Sequence, residues 1–240
     1  MAGLFPTAAR QRCEVDIVFC LDVTNSMQNA IDNIRSGIEN FIASMQRDAI
    51  IDFRLALIAY RDLHDINIYE NNTRACDEPW FCRDFTNDIN EFKQWLDEKD
   101  VQAYGGGDDP ESTLDAIYMA IHKFKWRESG SYRAIVVFTD SDTHPTLHQS
   151  TYSRKDNTID RVIQDFETMK HALFYFIGPK YPLYERLEKS MRSADRKVFA
   201  DYIPDVDNGE GLKTVNFTQL LSFIGQNITS SALEVKVKNV

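Results

Sequence analysis

Apolar residues fall along this chain in two alternating rhythms. Predominantly apolar runs at Val15 to Leu21, Ile51 to Tyr60, Ala134 to Thr139 and Ala172 to Ile177 read as strands, and Val198 to Tyr202 as a short last one. Between them apolar residues recur every three or four positions. Met27, Ala30, Ile31, Ile34, Ile38, Phe41, Ile42 and Met45 share one face of a helix starting near Ser26, with Asn25 or Ser26 available as its cap. A second helix is predicted over Asp88 to Lys99. Pro110 opens a third, whose apolar face is Leu114, Ile117, Ile121 and Phe124. Further helices are marked by Ile159, Val162, Ile163, Phe166 and Met169, by Leu183, Leu187 and Met191, and by Phe217, Leu220, Leu221, Ile224 and Ile228. Leu63 to Phe85 is polar and irregular, with room for a short third strand beside Cys76 and Cys82. The tail Glu234 to Val240 alternates like a strand; an edge strand or a cut linker are the alternatives to the default, a frayed end.

Strands alternating with helices imply a mainly parallel sheet covered on both faces, a doubly wound three-layer αβα sandwich of Rossmann-like α/β class. One domain is expected over 15–233, between an extension at 1–14 and the tail at 234–240. If the strand order is 3-2-1-4-5-6, the strands ending at Asp22 and Asp140 flank the crevice where the order reverses, which is where such sheets bind ligands.

Composition narrows the function classes. The chain has 240 residues, 43% apolar and 27% charged, with a net charge of −10, the profile of a soluble globular domain. Lys and Arg form no long run, so no nucleic-acid partner is expected. No apolar stretch reaches the ~18 residues of a membrane span, and the start lacks the features of a signal peptide. A cytoplasmic location is therefore expected. Of the four cysteines, Cys20 lies inside a strand as an inert thiol. Cys76 and Cys82 are read as two free thiols, with a local disulfide or a zinc site shared with His64 as alternatives.

Three clusters carry the chemistry. Asp22, Thr24 and Ser26 follow the first strand as Asp-x-Thr-x-Ser. Gly105-Gly106-Gly107-Asp108-Asp109-Pro110-Glu111 lies in mid-chain, and a second apolar strand ends in Asp140. Carboxylate and hydroxyl oxygens suit a hard divalent cation. In this order, at strand and loop ends, the clusters resemble the metal-ion-dependent adhesion site of von Willebrand factor A-type (VWA) domains, in its Gly-Gly-Gly-Asp-x-Pro-Glu variant. Arg61-Asp62 after the second strand also fits that family. The resemblance implies a metal site of Asp22, Thr24, Ser26, Asp108 and Asp140 holding Mg²⁺, or Mn²⁺ or Ca²⁺. It also implies a non-enzymatic module that binds a partner protein through an open coordination position. Asp108 stands where better-known members carry Thr; three carboxylates around a divalent cation leave one net negative charge, so the metal is held more firmly and an acidic partner attracted less. Asp109 is the alternative ligand, and Asp142 and His144 are placed at the rim.

The competing reading is a Mg²⁺-dependent phosphatase of haloacid-dehalogenase type. Such enzymes carry a second Asp two positions after the nucleophilic one, where this chain has Thr24. A nucleotide-binding loop is disfavoured, because no Lys-Ser/Thr follows the glycines and Asp108-Asp109 would repel phosphate.

Overall fold

The computed structural model describes residues 12–46, 50–64, 81–104, 110–128, 130–204 and 210–238. Cys76 and the triple-Gly loop through Asp109 lie outside the described residues. Six strands form one sheet: β1 (Arg12–Asp22), β2 (Ile50–Tyr60), β3 (Phe81–Thr86), β4 (Tyr132–Phe138), β5 (Ala172–Pro179) and β6 (Arg196–Ile203). Their order is β3-β2-β1-β4-β5-β6, the order expected of a doubly wound sheet. All pairings are parallel except β2 with β3, which is antiparallel.

Helices cover both faces, so the central strands are apolar on both sides. Val15, Ile17, Phe19 and Leu21 of β1 pack beneath α1 (Gln28–Gln46), α2 (Ile89–Leu96) and α7 (Phe217–Lys238). Val18 and Cys20 face α3 (Thr113–His122), α4 (Ile159–Glu167) and α5 (Pro182–Met191). A short helix, α6 (Glu210–Lys213), precedes α7. Helices α1 and α7 approach closely through glycines. A Cβ on Gly37 would come within 2.7 Å of Leu221 Cδ1, and one on Gly225 within 2.2 Å of Ser44 Oγ and 3.0 Å of the Phe41 carbonyl.

The apolar run of β1 conceals one charge. Asp16 is fully buried, on the same side of the strand as Val18. Its carboxylate accepts two bonds from Arg54 of β2, at 2.8 and 2.6 Å, and one from the Arg127 amide at 2.7 Å. A buried carboxylate survives only with such partners.

Three local expectations need correction. The chain past Leu233 is neither strand nor frayed end: α7 continues through Lys238. Ile224, Ile228 and Ala232 are buried against the α1 side of the core, and extending a helix already docked there costs little. The third helix starts at Thr113 rather than Pro110. Glu111 is held in a parallel bridge with Thr143, and Ser112 spends its hydroxyl on Leu63 N–H and Asp62 instead of capping. Helix α1 is preceded by a 3₁₀ turn, Asn25–Met27, with Thr24 at its cap position but no side-chain cap bond.

Candidate metal centre

Parallel strands β1 and β4 lie side by side, in register from Val15↔Tyr132 to Leu21↔Phe138. Their carboxyl ends therefore deliver Asp22 and the Thr139-Asp140 pair to one edge of the sheet. Asp22 is fully buried. Its Oδ1 accepts from the Thr24 amide at 3.0 Å and the Thr24 hydroxyl at 2.7 Å; its Oδ2 accepts from the Thr139 hydroxyl at 2.8 Å. Burial, and then the negative charge of Asp140, raise its pKa from 3.8 to about 7, against the pull of the Thr24 and Thr139 hydrogen bonds. Two carboxylates are thus held near one another in a poorly solvated place.

The surroundings are built rather than incidental. Thr113, the first residue of α3, shares its hydroxyl with Tyr60 at 3.0 Å and Tyr184 at 3.1 Å, all three buried. Tyr184 also donates to the Ser141 carbonyl at 2.9 Å, fixing the turn after Asp140. Arg61 donates to the carbonyls of Tyr104, Asp100 and Gln102 at 3.1, 3.0 and 2.9 Å. Its guanidinium lies 3.5 Å over the Tyr104 ring. The Tyr104 amide in turn donates to Val23 O at 3.1 Å. The segment leading into the triple-Gly loop is therefore tied to the ends of β1 and β2.

Of the expected ligands, the structure brings Asp22 and Thr24 into contact and sets Asp140 within electrostatic reach of Asp22. Ser26 lies half-buried in the turn after Thr24. Asp108 and Asp109 fall outside the described residues. Sequence reasoning missed Thr139, whose only signal was its place beside Asp140. It also missed the contact of His144 with Asp62: rather than merely lining a rim, His144 Nε2 sits 2.8 Å from Asp62 Oδ1. His64 joins that pair, while Cys82 lies half-buried in β3.

A family model for the von Willebrand factor A domain matches residues 79–171, from just before β3 to the threshold of β5. The VWA domain of SpRpn10 superposes with a TM-score of 0.51 at 12% identity, covering 85% of this chain and 97% of that one. The fold is that of a von Willebrand factor A domain. The pilus adhesin SpaC of Lactobacillus rhamnosus GG carries the same fold, with a TM-score of 0.51, 12% identity, and coverage of 90% of this chain and 30% of that one. Among curated proteins, "Alpha-protein kinase vwkA" of Dictyostelium discoideum is 27% identical over 137 residues, 57% of this chain. The matched stretch spans only 20% of that relative. In this VWA fold the crevice between β1 and β4 holds the Asp22–Thr24–Asp140 cluster, and among the described residues no helix is long and apolar enough to cross a membrane.

Proposed function

We propose that this chain is a protein-binding module of VWA type whose engagement depends on a divalent cation. The observation that carries the reading is the Asp22 carboxylate, wholly buried at the end of β1, with the Thr24 hydroxyl on it and Asp140 beside it. The donor set is entirely oxygen, as Mg²⁺, Mn²⁺ or Ca²⁺ requires. A cation also offsets the repulsion between carboxylates that the fold holds together. Asp22, Thr24, Ser26 and Asp140, with Asp108 from the triple-Gly loop, would hold the ion. When bound, the ion supplies a positively charged position open to a carboxylate of a partner protein.

The residues themselves set the terms of that exchange. Thr139 and the Thr24 amide orient Asp22 and keep it from rotating into the core. The VWA domain of SpRpn10 and the pilus adhesin SpaC lend support to a binding role for the same fold. No enzymatic activity is proposed. The position two residues after Asp22 is a Thr whose hydroxyl is spent on Asp22 itself, leaving no acid there for phosphatase chemistry.

Calorimetry with Mg²⁺ and Mn²⁺ tests the metal, and partner capture in Mg²⁺ against EDTA tests its use. We expect one binding event, and Mg²⁺-dependent capture that Asp22→Asn abolishes. Absence of binding heat for both ions, or turnover of a generic phosphate ester that Asp22→Asn removes, would overturn the reading.

A further inference from the structure

A second cluster stands on the same edge of the molecule, built from different residues. Asp62 follows β2 and is only 5% exposed. Its Oδ1 lies 2.8 Å from His144 Nε2 and 3.4 Å from His64 Nδ1, and the three potential ligand atoms are all within 4.8 Å of one another. A tetrahedral ion with bonds of about 2.0–2.1 Å needs its ligand atoms about 3.3 Å apart. The first two separations bracket that figure, so small side-chain rotations suffice to admit an ion.

The alternative is that Asp62 simply anchors His144 by a hydrogen bond. Three features exceed that need. His64 also turns its ring in, with its centroid 3.8 Å from that of His144, although it sits at the surface where water would serve it. The carboxylate is braced by partners other than the imidazoles: the His64 amide at 2.9 Å and the Ser112 hydroxyl at 3.1 Å, while Ser112 Oγ accepts from Leu63 N–H at 2.8 Å. That bracing is the outer support that orients metal ligands. Finally, the His144 amide donates to Glu111 O at 3.1 Å, fixing the backbone that carries its ring.

We propose that Asp62, His64 and His144 form a site for a transition-metal ion of the Zn²⁺ class, separate from the cluster at Asp22. Two imidazoles and one carboxylate select Zn²⁺, Co²⁺ or Ni²⁺ over Mg²⁺ or Ca²⁺, because hard cations take oxygen ligands. Three protein ligands leave a fourth position for water or an incoming side chain. His148 stands edge-on to His64, with ring centroids 4.9 Å apart. A bound ion would fasten the segment after β2 to the loop after β4, two stretches that no strand pairing joins.

The test titrates the metal-stripped full chain with Co²⁺ in saturating Mg²⁺, so that the Asp22 site is not the one observed. One equivalent should produce the intense visible absorption of low-coordinate cobalt with nitrogen and oxygen ligands, and Zn²⁺ should displace it. His64→Ala and His144→Ala should each weaken binding about tenfold or more, whereas Asp22→Asn and Cys82→Ser should leave it unchanged. His64 is at the surface, so His64→Ala keeps the test valid even if His144→Ala fails to fold. Absence of the cobalt spectrum overturns the proposal. So does wild-type affinity in His64→Ala, or a thiolate charge-transfer band lost in Cys82→Ser.

Discussion

Replacing Asp22 with Asn should remove metal binding yet make the metal-free protein more stable at neutral pH. Asp22 is raised from 3.8 to about 7, first by burial and then by the charge of Asp140. Below pH ~3.8 the group is protonated in both folded and unfolded chains and costs nothing. As pH rises toward 7 the unfolded chain releases the proton and the folded one retains it, so stability falls until the folded carboxyl also ionises. At ~1.4 kcal/mol per pH unit, the displacement corresponds to about 4 kcal/mol lost above pH 7. Asn carries no charge and still accepts from the Thr24 amide. Weaker hydrogen bonds to Thr24 and Thr139 cost back about 1–2 kcal/mol. The net gain for Asp22→Asn is then about 2–3 kcal/mol at pH 8, or about 4–12 °C in Tm for a chain of this size. At pH 4 it should vanish. Differential scanning calorimetry in EDTA from pH 4 to pH 8, repeated with millimolar Mg²⁺, reads both effects. Mg²⁺ should raise Tm of the wild type at pH 8 and leave the variant unmoved. The reasoning fails if Asp22→Asn is equally destabilised at pH 4 and pH 8, or if it keeps the Mg²⁺ shift.

Other expectations follow from the packing and the donor set. Gly225→Ala should destabilise by about 1–3 kcal/mol despite alanine's better helix propensity, because its Cβ would sit 2.2 Å from Ser44 Oγ and 3.0 Å from the Phe41 carbonyl; unchanged urea denaturation would show that α1 and α7 can part freely. Asp16→Ala should cost about 3 kcal/mol, the low end for a broken buried pair, since the Arg54 and Arg127 side chains left behind retain 27% and 18% exposure; a loss below about 0.5 kcal/mol in chemical denaturation would contradict it. Asp108→Thr should weaken Mg²⁺ binding while Asp109→Thr does not. The reverse result by metal titration would move the loop ligand by one residue, and no effect from either would leave the site to the two strand ends.

Legibility in the sequence tracked how local the cause was. β1, β4 and β5 were readable because a strand buried on both faces must be apolar throughout, and the crevice followed from their order. The same apolar bias hid Asp16, whose partners lie on β2 and just after α3, out of reach of any local pattern. Asp22, Thr24 and Asp140 were visible as polar residues abruptly ending apolar runs. Thr24 was read as one of several loop oxygens, whereas its hydroxyl serves Asp22 directly. The Asp62–His144 contact spans 82 positions in the chain, and neither residue carries a periodic signal. The alternation of Glu234 to Lys238 was a true pattern with the wrong cause: helix register there continues from the buried Ile224, Ile228 and Ala232.

The clamp around Arg61 bears on how such a scaffold could diversify. Tyr104, immediately before the triple-Gly loop, is held by Arg61 and by the backbone of Val23; Glu111, just after it, is held by the backbone of Asp142 and His144. These bonds join residues on either side of the stretch from Gly105 to Asp109. Two anchored posts thus bracket the segment that carries Asp108. On the proposed reading, exchanging Asp108 for a neutral residue would change the charge offered at the crevice without removing any of the bonds that hold Tyr104 and Glu111. A substitution between the posts would then act on the charge at the crevice rather than on the bonds that seat the two ends of the stretch.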